Sequence, residues 1–179
     1  MAQEQVRVIF QSGVNPDVVS DYTLAVIQAL GLASGNLSLV ISSTTRTPAD
    51  QAAIMFKNCK NLGVKSQYKL YGSNGDKIID VFVKETKDPK FKAEEVIRKM
   101  MEKIIEIGPK KISHHCADPD ELNVVDIPFS CLKNITAFRE KLKTVKAISK
   151  YHDEPANHCF HLEIPQDKHT SAPYSGYGG

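Results

Sequence analysis

The chain has 179 residues, a length that suits one globular domain. Its 41% hydrophobic and 25% charged residues are ordinary for a globular fold, and its formal net charge of +2 favours neither nucleic acid nor a membrane surface as a partner. No apolar stretch reaches the length of a membrane span, and residues 1–5 carry no basic and apolar leader. We therefore expect synthesis in the cytoplasm without a signal peptide, no membrane span and no nucleic-acid partner. The oligomeric state is left open, with a monomer as the expectation.

Helical spacing dominates the pattern of residues 5–108. Asn15 can cap a first helix, Thr47 begins a second, and Gly63 ends the second. Residues 77–84 fit a helix or a strand. In chain order, the pattern predicts a strand at 5–10, a helix at 18–32, a buried strand at 37–43, a helix at 47–62, a turn at 71–76 and a helix at 92–107.

The last third of the chain predicts mostly strands. A helix is expected at 134–145, and strands at 123–128, 147–151 and 159–165. Residues 166–179 are rich in Ser, Gly and Tyr, have no apolar period, and are expected to form a flexible tail. Together, these predicted elements indicate an α+β fold: a single domain over residues 1–165, with helices packed on a small, mainly antiparallel sheet.

The chemistry-bearing residues concentrate in that last third. Five of the six histidines lie between His114 and His161. Asp126 and His161 each interrupt an apolar strand, and a buried carboxylate or imidazole is costly unless something pairs with it. Two histidines and one carboxylate form a common set of ligands for a catalytic metal, because they leave a position open for water.

We expect the four cysteines to be reduced thiols, because no two of them are spaced as a C-x-x-C pair. A structural zinc site built from Cys116, Cys159 and neighbouring histidines stays open at this point.

Three short motifs, in order over residues 38–165, resemble those of the D-alanyl-D-alanine carboxypeptidase and hedgehog-type zinc peptidase superfamily. Ser113-x-His115, followed by Val124-Val125-Asp126-Ile127, resembles its S-x-H…(A/V)-x-D-(I/F) motif. Phe160-His161-Leu162-Glu163 is similar to its late strand, which carries the third ligand. The segment from Ser42 to Gln51, with Arg46 in its middle, is similar to its S-x-x-R-S-P-x-x-(Q/N) segment.

The resemblance implies a hedgehog/DD-peptidase-like fold whose Zn²⁺ is held by His115, Asp126 and His161. It implies that Arg46 holds a substrate carboxylate or carbonyl, with Gln51 and Ser113 also in the substrate site. The activity implied is hydrolysis of peptidoglycan stem or cross-link peptides, as a D,D- or L,D-carboxypeptidase or an endopeptidase. Without a signal peptide, the chain resembles a phage endolysin or an injected effector that reaches the cell wall after lysis or injection.

Two departures from the family pattern leave alternatives. Residues 116–125 separate the first histidine from the aspartate by more than the family does, so that His114 competes with His115 as the ligand, although the S-x-H match favours His115. The family's acidic residue three positions before the last ligand is His158 here. His158 is favoured as the general base, with Glu154 and then Asp153 as the other candidates.

Two other functions fit the same residues. The missing acid supports a non-catalytic, zinc-containing binding module of the same fold, a pseudo-peptidase. Two histidines and one carboxylate also describe a non-haem iron site, although the ligand spacing resembles that of the peptidases. Glu163, two residues after His161, is expected either to orient a ligand histidine or to be a solvated strand residue.

Overall fold

The computed structural model describes residues 5–155 and 157–166. It is an α+β fold, as the sequence predicts, with a small antiparallel sheet of three strands. The chain divides into two compact units: unit 1 comprises Met1–Thr45 and Asp118–Gly179, and unit 2 is Arg46–Ala117. The extent of one domain over residues 1–165 stays a prediction, and residues 167–179 of the predicted tail lie outside the described residues.

Unit 1 contains the described strands. Two of them, β1 (Arg7–Phe10) and β2 (Ser38–Ile41), pair in parallel. The other three form an antiparallel sheet in the order β3 (Leu122–Pro128), β5 (Cys159–Pro165), β4 (Lys150–Glu154). An isolated antiparallel bridge between Ser43 and Asp126 extends the end of β2 onto β3. The helices of unit 1 are α1 (Asp21–Ala33) and α6 (Ile135–Leu142).

The core of unit 1 lies on one face of the antiparallel sheet. Successive side chains of a strand point to opposite faces, so that Phe160, Leu162 and Ile164 of β5 share a face. All three are fully buried, together with Phe138 of α6 and Ile27 of α1. The opposite face of β5 carries the polar residues of the candidate site.

Unit 2 is helical. Thr47 caps α2 in a capping box with Asp50, and the helix ends at Gly63, as predicted. Its core is a cluster of buried aliphatic, aromatic and Met side chains from α2, α4 and α5. The helices are α2 (Pro48–Leu62), α3 (Val64–Leu70), α4 (Ser73–Glu85) and α5 (Ala93–Ile107). None of the helices in the described part of the chain is both long and apolar enough to cross a bilayer.

The local predictions need correction at several places. The turn predicted at 71–76 is wrong from Ser73 onward, because α4 begins there and buries Ile78, Ile79 and Phe82. Ser, Asn, Gly and Asp favour turns and helix starts alike, and the buried apolar positions that follow decide between them. The strand predicted at 147–151 is displaced to Lys150–Glu154, where it pairs with β5. Helix α3 was not predicted from its sequence.

Gly31 allows α1 to lie against its neighbours in unit 1. A Cβ atom at this position would stand 2.8 Å from the Asn36 carbonyl oxygen, 2.8 Å from Val6 Cγ1 and 3.0 Å from Leu39 Cδ1. The carbonyl belongs to the backbone and cannot rotate away. Gly31 is therefore required by packing, although alanine is the better helix former.

We predict that Gly31→Ala lowers the free energy of unfolding by about 1–3 kcal/mol, the usual cost of overpacking. Urea unfolding followed by circular dichroism measures the change. Gly72→Ala is the matched control, because a Cβ there would meet nothing within 4 Å, and its effect should stay below about 1 kcal/mol. An equal loss in both variants, or a gain from Gly31→Ala, would contradict the packing account.

Candidate metal centre

One face of the antiparallel sheet carries ionisable side chains in cross-strand register. Asp126 of β3 is opposite His161 of β5, which is opposite His152 of β4. The next row on the same face contains Val124 of β3, Glu163 of β5 and Lys150 of β4. The carboxylate and the imidazole that interrupt two apolar strands in the sequence therefore meet as direct cross-strand neighbours.

Asp126 and His161 form a partly buried pair. The Asp126 Oδ1 to His161 Nδ1 distance is 3.1 Å, and the two side chains are only 13% and 10% exposed. The backbone of Asp126 is held at two points, because its carbonyl accepts from Ser42 N and its N–H donates to Ser43 O. These bonds fix the strand that presents the carboxylate.

The surroundings of His161 favour a positive charge. Burial lowers the pKa of His161, but the hydrogen bond and the charge of Asp126, the charge of Glu154 and the hydrogen bond to Glu163 together outweigh burial, so that the pKa is raised. Carboxylates that favour a proton on an imidazole also favour a metal cation beside it.

His115 lies in unit 2, in a 3₁₀ turn over His114–Cys116 that follows Ser113. Its side chain is buried, and its carbonyl oxygen accepts from Arg46 N at 2.7 Å. The predicted ligand is thus on a short, hydrogen-bonded turn. Ser113 is half-buried just before it, and a contact of Ser113 with substrate stays a prediction.

His115, Asp126 and His161 form a buried cluster that can hold a metal ion. Each offers one ligand atom, and these atoms all lie within 4.8 Å of one another. The donor set fits a divalent transition metal, since imidazole nitrogens and a carboxylate oxygen are ordinary ligands of such ions. The geometry thus agrees with the predicted ligands, while the identity of the metal is not given by it.

The competing ligands do not join this cluster. Among the described residues, no group of three potential metal-ligating side chains includes His114, Cys116 or Cys159. Burial raises the pKa of Cys116 to about 11, and a thiol must lose its proton to bind a metal well. The structural zinc site left open by the sequence therefore has no support in the described part of the chain.

Arg46 is held by a chain of side-chain hydrogen bonds within unit 2. Its Nη1 donates to Gln51 Oε1 at 3.3 Å, and Gln51 Nε2 donates to Tyr71 Oη at 3.1 Å. Burial raises the pKa of Tyr71, so the phenol stays neutral. Gln51 is completely buried. The structure thus shows Gln51 supporting Arg46, and direct contact of either residue with a substrate stays a prediction.

The three candidates for the general base occupy different places. Glu154 is opposite Cys159 in the β4–β5 register, and so is on the same face as His161. Asp153 is on the other face and is bonded to Arg139 at 2.6 Å. His158 is exposed, with a φ of 54°, at the end of the connection between the two strands. The position of Asp153 on the other face argues against it as the general base. The position of Glu154 on the face of His161 favours Glu154 in that role.

Sequence reasoning missed His152. Its ring centroid is 5.9 Å from that of His161, in the same cross-strand row. Tyr151 is the one apolar residue of Lys150–Glu154, so no alternation marks this strand in the sequence, and the strand was predicted too early in the chain. The pairing with β5 is what puts His152 beside the candidate centre.

No family model, no curated protein and no solved structure matches this chain. The superfamily resemblance therefore rests on the three motifs alone.

We predict that His115→Ala abolishes binding of one metal ion per chain, because two remaining ligands cannot hold a divalent metal tightly. His114→Ala is the matched control, with the same change one residue earlier, and should bind at full stoichiometry. Elemental analysis after dialysis against zinc measures both. Full zinc in His115→Ala, or its loss in His114→Ala, would contradict the assignment.

Proposed function

We propose that this chain is a zinc-dependent peptidase that hydrolyses stem or cross-link peptides of bacterial peptidoglycan, as a D,D- or L,D-carboxypeptidase or an endopeptidase. The observation that carries the proposal is the buried cluster of His115, Asp126 and His161. A zinc ion bound by such a set activates water and polarises a carbonyl group for hydrolysis.

The choice of peptidoglycan depends on the motif resemblance. Ser113-x-His115, Asp126 within its apolar strand, and the late strand around His161 are similar in order and type to the superfamily that cuts such peptides. The proposal places the protein at the cell wall after lysis or injection. Zinc is proposed over iron because the motif resemblance is to zinc peptidases.

Arg46 is proposed to bind the substrate. Its guanidinium offers paired donors that match a carboxylate or a carbonyl oxygen. The bond to the buried Gln51 restricts the side chain before the substrate arrives, which lowers the entropy lost on binding. The half-buried position of Arg46 leaves part of the side chain accessible.

Glu154 is proposed to move the proton during hydrolysis. Its charge is close enough to help raise the pKa of His161, and Asn157 Nδ2 donates to its Oε2 at 2.7 Å. A carboxylate held at this end of β4 can accept a proton from water and return it to the leaving amine. We therefore favour Glu154 over His158, which was favoured from the sequence.

The test is hydrolysis of purified muropeptides by the zinc-loaded protein. Glu154→Gln should slow it by about 10²–10⁴-fold, the usual contribution of general acid–base catalysis, with zinc content unchanged. Asp153→Asn is the matched control on the opposite face of the same strand, and should leave the rate close to that of the unchanged protein.

Three outcomes would contradict parts of this proposal. An equal loss in both variants would remove Glu154 as the proton carrier, and a loss in His158→Ala alone would assign that role to His158. If the protein holds zinc but releases no product from a panel of cell-wall peptides, the peptidase is rejected in favour of a non-catalytic zinc-binding module.

A further inference from the structure

Glu163 is a buried carboxylate beside the candidate centre. The residue is 5% exposed, and it lies two positions after His161 on the same face of β5. A buried carboxylate destabilises a fold unless a donor or a positive charge compensates it. Two such groups contact Glu163 Oε1: His161 Nε2 at 3.4 Å and Lys150 Nζ at 3.9 Å.

The ring of His161 is placed between two carboxylates. Its Nδ1 is 3.1 Å from Asp126 Oδ1, and its Nε2 is 3.4 Å from Glu163 Oε1. A neutral imidazole has one N–H and one lone pair, and a metal takes the lone pair. The two nitrogens therefore have different tasks once a metal is bound.

The positions of the carboxylates assign those tasks. Asp126 belongs to the metal-ligating cluster, so that the nitrogen beside it, Nδ1, faces a fellow ligand. Glu163 is not a member of that cluster and stands at the other nitrogen. A carboxylate there can accept the Nε2–H, which leaves the lone pair on Nδ1.

We propose that Glu163 is a positioning residue that accepts the Nε2–H of His161 and thereby makes Nδ1 the metal-binding nitrogen. This inference rests on the proposed metal centre, and it does not depend on peptidase activity. The bond fixes both the tautomer and the rotation of the ring, and it raises the basicity of the ligand nitrogen.

Lys150 has a different role in this arrangement. Its ammonium lies 3.9 Å from Glu163 Oε1, and its side chain is 49% exposed. A partly solvated lysine lowers the cost of burying the carboxylate without competing for the His161 proton, since an ammonium only donates. The negative charge of Glu163 is therefore tolerated while its oxygen stays available to the imidazole.

The experiment uses the full chain loaded with zinc alone. Long-range ¹H–¹⁵N correlation spectra distinguish a protonated ring nitrogen from a metal-bound one, and the His161 signals are identified by their absence from His161→Ala. We expect Nε2 to be protonated and Nδ1 to be zinc-bound. Competition with a chelating indicator should show zinc affinity about 10–100-fold weaker in Glu163→Ala, the range for losing an outer-shell partner of a metal ligand.

Glu140→Gln is a control that removes a carboxylate from the surface of α6, where its partner is Lys143, and it should bind zinc as the unchanged protein does. Circular dichroism checks that Glu163→Ala is folded. The spectrum of the unchanged protein tests the proposal even if that variant does not fold.

The outcomes separate this proposal from the metal centre. Zinc bound through Nε2 of His161 would leave the centre standing and overturn the role of Glu163. Unchanged zinc affinity in folded Glu163→Ala would also overturn that role. His161 signals that do not respond to zinc would overturn both the centre and the positioning role.

Discussion

The pairing of Asp126 with His161 across β3 and β5 is the constraint from which the candidate centre follows. Each side chain interrupts a strand whose other face is buried in the core of unit 1. A one-residue change in register would turn both side chains into that core and turn its apolar residues outward, which makes the register strongly determined. Burial of the apolar face therefore fixes the strand register, and the register fixes the positions of Asp126 and His161.

That pair has a cost, which a metal ion would offset. Two partly buried groups lose hydration, and an interaction between them at 3.1 Å recovers only part of it. A divalent cation beside Asp126, His161 and His115 adds a stronger partner for all three. In this view the metal contributes to stability as well as to chemistry, because binding to the folded state alone shifts the equilibrium toward it.

The sequence predicted the elements with strong local signals. Helix α2 ends at Leu62 as predicted and begins one residue after the predicted Thr47, which caps it. Strand β5 has the predicted bounds, and Asp126 and His161, which interrupt apolar strands, proved to be neighbours. His115 was preferred over His114 on a motif alone, and its burial and clustering now support that preference.

The rest depended on tertiary contacts that local patterns do not encode. Strand β4 is polar, and its bounds follow from pairing with β5, so His152 was missed. The sequence of the first turn of α4 resembles a loop, because glycine at position 75 disfavours a helix. The glycine is needed because a Cβ atom at this position would collide with the side chain of Tyr71. The opposite faces of Asp153 and Glu154 likewise followed from the register.

Anomalous diffraction at the zinc absorption edge, from crystals grown with zinc, tests the central claim most directly. The account predicts one strong peak at about 2.0–2.2 Å from a nitrogen of His115, an oxygen of Asp126 and a nitrogen of His161. A peak at the cysteines or at His114 instead would contradict it. Crystals that bind zinc at other positions, with no peak among these three side chains, would also contradict it.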